Sequence, residues 1–193
     1  MISRRLAIFM MLMVAPGAAW LAAQNASDAG VAESPAIIIG TVAGDKGTTV
    51  SVPVYFRGGT PALRRVALSL DFISNSVKFE KASGDGALPP MEIQVAVNAE
   101  PLPADAKGLP RTRIKLIATG AGAQAGKALP GGLWTFLVFR LAPDAKPFAV
   151  SLQASEVGAE TSSGTAATLL TEAGKVIVSA EDETQLGCFF FTH

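Results

Sequence analysis

The sequence predicts an all-β domain of about nine strands, a β-sandwich or jelly roll, that is preceded by a signal peptide. Apolar residues recur at every second position from Ala36 onward, which is the period of half-buried strands. Glycine, proline, serine and asparagine separate these alternating segments at short intervals. No segment has the spacing of an amphipathic helix, so we expect two packed sheets.

The predicted strands follow the alternation along the chain. They are residues 37–42, 48–56, 66–72, 77–79, 91–97, 111–119, 133–141, 148–152 and 175–179. In the second strand Val50, Val52 and Val54 share one side, and Pro53 lies between them. Because proline cannot donate a ladder hydrogen bond, we expect an open edge or a bulge beside it. The strand at 133–141 is apolar on both sides, which indicates a central position.

The inward positions of these strands predict the core. We expect burial of Val52, Leu68, Leu70, Phe72, Phe136 or Leu137, Phe139 and Val150.

The first residues predict export. Arg4 and Arg5 precede the apolar run Leu6–Val14, and small residues lead to Ala23, which is the order of a cleavable signal peptide. The run is far shorter than the roughly 20 residues that span a bilayer. We therefore expect cleavage after Ala23, an extracellular or periplasmic location, and membrane contact only through the transient signal peptide.

The predicted organisation has four parts. A signal peptide (residues 1–23) is followed by a disordered lead-in (24–35), the β-sandwich (36–180) and a C-terminal tail (181–193). The whole chain has 16 basic and 16 acidic residues, and loss of Arg4 and Arg5 leaves 14 against 16. This balance excludes nucleic acid and an anionic membrane surface as expected partners.

The side chains that catalysis requires are scarce. The single histidine, His193, and the single cysteine, Cys188, both lie in the tail, where a catalytic pair would have little support. Glu156 and Glu160 flank a glycine as paired catalytic carboxylates can, but solvated acids are the more common case. No metal-binding or phosphate-binding motif occurs. The sequence therefore predicts a non-catalytic protein without a cofactor or metal.

Four segments together resemble cohesin domains. They are the glycine-rich turn and V-x-V-P-V strand within 39–54, the strands at 66–83, the apolar strand at 132–141 and the closing segment 150–178. The resemblance covers about residues 36–179. It implies a jelly roll of about nine strands, related to carbohydrate-binding modules.

The resemblance also implies a partner and a surface. Cohesins bind dockerins, small calcium-binding helical modules of polysaccharide-degrading enzymes, through polar side chains on the third strand and its neighbours. The corresponding outward positions are Arg65, Ala67 and Ser69, with alanine where a polar contact is expected. The aromatic-Asp-Pro sequence that follows the third strand in the family is replaced by the segment 72–74, Phe-Ile-Ser.

Two other functions remain open from the sequence. A carbohydrate-binding module would present aromatic rings, and Tyr55, on the polar side of its strand, is the one candidate platform for a polysaccharide. Trp134 lies in the strand that is apolar on both sides, which favours the core. A structural cell-surface domain is the other alternative.

Overall fold

The structure, a computed structural model, describes residues 33–83 and 92–179. These residues form eleven strands and one 3₁₀ turn at Gly122–Gln124. The strands are β1 (Ala36–Ile39), β2 (Thr41–Gly44), β3 (Thr49–Arg57), β4 (Leu63–Ile73), β5 (Val77–Ser83), β6 (Ile93–Leu102), β7 (Arg111–Gly120), β8 (Gly132–Leu141), β9 (Phe148–Thr161), β10 (Leu170–Glu172) and β11 (Gly174–Val178). The described residues contain no helix with the length and hydropathy of a membrane span.

The strands form two sheets, which confirms the predicted β-sandwich. One sheet has the order β10-β1-β3-β8-β5, and the other has the order β2-β11-β9-β4-β7-β6. The inward side chains of both sheets make one core cluster. The predicted core residues are buried, namely Val52, Leu68, Leu70, Phe72, Leu137, Phe139 and Val150, whereas Phe136 is only half-buried.

The first predicted strand is in fact two strands in different sheets. The chain leaves β1 at Gly40, whose N–H donates to the Pro53 carbonyl at 2.8 Å, and it continues as β2 in the six-stranded sheet. A Cβ atom on Gly40 would lie 2.6 Å from the Pro53 ring, so only glycine fits this crossing. β1 pairs with β3 only as far as Val54. Pro53 therefore stands where the edge of β3 opens, as predicted.

The other differences concern segments with little apolar alternation. β9 continues to Thr161, well beyond the predicted 148–152, through a stretch of small and polar residues that β4 pairs along its length. β10 consists of three exposed residues and carries no pattern that marks a strand. Both strands depend on neighbours that are distant in sequence.

The N-terminal end of the domain bears on the predicted boundary between the lead-in and the β-sandwich. Thr60 donates to the Glu33 carbonyl at 2.9 Å, and Leu170 donates to the Pro35 carbonyl at 2.9 Å. The last residues of the predicted lead-in thus hydrogen-bond with the domain. The predicted signal peptide and the tail, including Cys188 and His193, lie outside the described residues.

Candidate functional site

The candidate site is the outer side of β9, β4, β7 and β6, which we call the six-strand face. These strands are antiparallel neighbours, so every second residue of each strand projects from this face. Its residues include Arg65, Ala67, Ser69 and Asp71 on β4, Arg111, Arg113, Lys115, Ile117 and Thr119 on β7, Gln94, Ala96, Asn98 and Glu100 on β6, and Glu156, Gly158 and Glu160 on β9. The three predicted partner-binding residues therefore lie together on it.

The centre of the six-strand face is flat and apolar. Ala67 lies opposite Gly158 on β9 and opposite Ile117 on β7, and Ile117 in turn lies opposite Ala96 on β6. The apolar side chain of Ile117 is 38% exposed. Small neighbours leave a shallow depression of about 280 Å³ around Ala67 and Ile117. The centre can therefore admit the backbone of another molecule at close range.

One end of this face carries a network centred on Asp71. Arg113 donates two hydrogen bonds to its carboxylate, at 2.7 Å from Nε and 3.0 Å from Nη2. Arg111 adds a contact at 3.2 Å and Ser155 donates at 3.0 Å. The bonds from Arg113 lower the pKa of Asp71 against the opposing effect of burial, and Ser155 and the charge of Arg111 lower it further. Asp71 in turn raises the pKa of Arg113.

The network continues onto β9 through Glu156. Arg113 Nη1 lies 2.9 Å from one carboxylate oxygen of Glu156, and Ser69 donates to the other at 3.0 Å. Ser69 is only 6% exposed, so it supports Glu156 and offers little surface of its own. Of the three predicted contact residues, Ser69 is the one that the tertiary structure largely covers.

The other end of the face has a second charged group. Arg65 Nη1 lies 3.1 Å from Glu160, and Arg64 lies 3.3 Å from the same carboxylate. The side chain of Arg65 is 46% exposed, so it can still contact a partner. Glu156 and Glu160 are thus both held by arginines, which fits a binding surface better than an acid–base pair.

The described residues offer no metal centre. They contain no group of three or more histidine, cysteine, aspartate or glutamate side chains that could hold an ion. What the six-strand face supplies is hydrogen bonding, charge and a small apolar centre. Such a surface can bind a molecule and orient it.

The predicted sugar platform lies in the other sheet. Tyr55 is on β3, is 40% exposed and has Ile38 and Leu133 as its cross-strand neighbours. Trp134 is 4% exposed, stacks on Phe56 with ring centroids 4.4 Å apart, and donates its indole N–H to the Pro130 carbonyl at 3.0 Å. Trp134 is therefore a core residue, as predicted. The two candidate surfaces do not share a sheet and can be tested separately.

Several residues of the six-strand face were not predicted from the sequence. Arg111, Arg113 and Lys115 alternate along β7, and this row of basic side chains is a readable signal of a polar outward side. Asp71 follows the same period on β4. Nothing local in the sequence indicates that Arg113 joins Asp71 to Glu156, because the three residues meet only through strand pairing.

Comparisons with known proteins show which solved structures have a similar fold. No protein-family model and no curated protein matches the chain. Solved cohesin structures do match. The sixth cohesin of scaffoldin B from Acetivibrio cellulolyticus, in complex with the Cel5 dockerin, is 14% identical, with 76% of this chain and 100% of that chain covered and a TM-score of 0.58.

Two further cohesins give the same result. The OlpA cohesin of Clostridium thermocellum, in complex with Doc918, is 17% identical, with 76% of this chain and 100% of that chain covered and a TM-score of 0.56. A non-cellulosomal cohesin from the archaeon Archaeoglobus fulgidus is 13% identical, with 78% and 94% covered and a TM-score of 0.54. Likeness at these identities shows the fold, so the domain has the jelly-roll fold of cohesins, as the sequence resemblance implied.

Proposed function

We propose that this chain is a non-catalytic module that binds a helical protein of dockerin type through its six-strand face. The observation that supports this most is the layout of that face, a flat centre at Ala67, Gly158 and Ile117 between two charged groups. An apolar centre with a polar rim is typical of protein–protein interfaces. Two of the cohesins that share the fold are seen in complex with dockerins.

The small centre suits a helix. Alanine and glycine at Ala67 and Gly158 let a helix approach closely, and Ile117 gives it an apolar contact. The rim side chains are already held by cross-strand ion pairs, among them Arg65–Glu160 and Arg113–Asp71. Side chains that are ordered before binding lose less conformational entropy on association.

The proposal includes the cellular location of the module and its biological role. The N-terminal segment has the order of a signal peptide, so the module acts outside the cytoplasm. A partner of dockerin type would tie it to enzymes of polysaccharide degradation. Its role would be to attach such a protein and not to carry out the reaction.

A second candidate function rests on Tyr55. An exposed tyrosine on the outer side of β3 can stack on a sugar ring, which favours direct binding of a polysaccharide. It is a single ring, and Trp134 is buried and cannot extend the platform. We therefore rank carbohydrate binding second.

The test compares one substitution in each sheet. Ala67→Arg places a long charged side chain in the flat centre and should weaken binding to calcium-loaded dockerin modules about tenfold or more, measured by titration calorimetry. Tyr55→Ala is the control and should leave this affinity unchanged. Thermal melting of both variants establishes that they are folded. Mass spectrometry of proteins captured from the organism's own secretome identifies the natural partner.

The same variants test the alternative. Incubation with insoluble polysaccharides should not retain the protein if the module binds only proteins. Retention on a polysaccharide that Tyr55→Ala abolishes, with no dockerin or secreted protein captured, would overturn the proposed function and establish carbohydrate binding instead.

A further inference from the structure

The two sheets have four terminal strands, and three of them are protected against pairing with another chain. β2 and β10 have only four and three residues. β5 carries the exposed charges Lys78, Glu80 and Lys81 and has an irregular register between Phe79 and Lys81. Short length, charge and bulges are the usual means by which proteins block sheet edges.

The fourth terminal strand, β6, lacks this protection. It has ten residues, and β7 is the only strand that pairs with it within the described chain. Its charge and its proline, Glu100 and Pro101, lie at the C-terminal end, so 93–99 is free of both. In that stretch, every second residue presents its N–H and C=O toward the open edge.

The core beside this edge is incompletely covered. The inward residues of β6, which are Ile93, Val95 and Val97, are only half-buried. On the adjacent β7 the inward residues Ile114 and Leu116 are fully buried. One further strand beside β6 would cover the exposed sides of its three apolar residues and would satisfy its open backbone groups.

We propose that a second copy of the chain supplies this strand, through antiparallel pairing of β6 with β6. Pairing about Val95 sets Val95 opposite Val95 of the second copy and Ile93 opposite its Val97, so apolar residues meet on the core side. On the outer side Gln94 meets Ala96, and Glu92 meets Asn98. The segment is thus complementary to itself without an opposed pair of charges.

Charge distinguishes the two possible registers of this β6–β6 pairing. Pairing about Ala96 would place Glu92 directly opposite Glu100 at both ends of the ladder, and like charges at that position destabilise a sheet. Pairing about Val95 leaves Glu100 outside the paired stretch, where it keeps its contact with Lys115 at 2.8 Å.

This association would change what the six-strand face can do. An antiparallel edge-to-edge pair has its two-fold axis perpendicular to the sheet, so both copies present the six-strand face on the same side. Two binding surfaces side by side would capture a partner with two modules, or an array of partners, more tightly than one surface does. The association itself requires no such partner and does not depend on the proposed function.

The experiment measures the oligomeric state of the full chain by sedimentation velocity over a range of concentrations, under reducing conditions that keep Cys188 from cross-linking. The wild type should be in monomer–dimer equilibrium. The double substitution Gln94→Lys with Ala96→Lys opposes lysines across the junction and should raise the dimer dissociation constant about tenfold or more. The matched control, Thr49→Lys with Ser51→Lys, adds the same charge at exposed positions of β3 and should leave the constant unchanged.

A charge-swap mixture keeps the test decisive if the lysine variant is simply less stable. Gln94→Glu with Ala96→Glu should by itself weaken the dimer to a similar degree, and mixing it with the lysine variant should restore tight association, because lysines of one copy then face glutamates of the other. A wild type that stays monomeric at all concentrations would overturn the inference. So would a lysine variant that dimerises as tightly as the wild type, or a mixture that does not restore the dimer.

Discussion

The two sheets bury the same core but present different outer sides. The six-strand face carries ion pairs that cross its strands, such as Arg113–Asp71 at 2.7 Å. The outer side of the five-stranded sheet, which we call the five-strand face, includes Ile38, Pro53, Tyr55, Leu133 and Phe136 together with the polar residues Thr49, Ser51 and Arg140. At one end of that sheet Arg57 lies 3.7 Å from Glu33 and 3.7 Å from Glu172.

The difference between the two faces bears on the proposed protein binding. On the six-strand face, Ala67 and Gly158 keep the surface flat, and the arginines are fixed around it by acids on neighbouring strands. On the five-strand face, the half-buried Leu133 and Phe136 lie beside Tyr55, and the polar residues Thr49, Ser51 and Arg140 lie toward the other end of β3 and β8. A protein partner suits the first face, and a sugar ring would suit only Tyr55 on the second.

The largest loss of stability is expected from substitutions in the core that the two sheets share. Leu70 on β4 and Phe139 on β8 are fully buried, one behind each face. Truncation of either to alanine should lower the free energy of unfolding by about 2–5 kcal/mol, measured by chemical denaturation, because each leaves a cavity in the shared core. Val157→Ala, at a position 43% exposed, serves as the control and should cost far less. If neither core variant were destabilised, the inward phase assigned to β4 and β8 would be wrong.

A smaller loss of stability is expected from removing the charge of Asp71 on the six-strand face. Asp71→Asn removes the charge that Arg113 and Arg111 contact, so the melting temperature should fall at neutral pH. The pKa of Asp71 is lower in the folded protein than the ordinary value of about 3.9, so its stabilisation is present above roughly pH 4. It is lost as the pH falls through the lowered pKa, and the difference between wild type and variant should then vanish.

The control for this pH dependence is Asp144→Asn, in the exposed turn before β9. It should leave the melting temperature close to that of the wild type at every pH. A wild type and an Asp71→Asn variant that differed equally at pH 3 and pH 7 would show that the carboxylate charge does not stabilise the fold.

The smallest effect on stability should accompany a clear effect on binding. Arg65→Ala removes an exposed ion pair, which costs less than about 1 kcal/mol of stability. It should nevertheless weaken partner capture by about 1 kcal/mol or more, the level at which an interface residue counts as important. Arg57→Ala, the matched loss of an exposed arginine on the other sheet, should change neither quantity much. Equal affinities for the two variants would remove Arg65 from the proposed interface.

The alternation in the sequence was sufficient for the direction of most side chains. It predicted that Val52, Leu70 and Phe139 are buried, and that Arg65 and Ala67 face outward on one strand. It also indicated that Trp134 belongs to the core. These predictions succeed because successive residues of a strand point to opposite sides whatever its neighbours are.

The tertiary structure decided which strands are neighbours. Alternation contains no information on pairing, so the transfer of the chain between sheets at Gly40 and the short strand β10 could not be predicted. The layout of the six-strand face also depends on strand pairing. Asp71 and Arg113 are 42 residues apart in sequence, and Arg64 and Glu160 are 96 apart. Their contacts exist only because β7 and β9 lie on either side of β4, so the sequence determined the side of each strand and the packing of the chain determined the site.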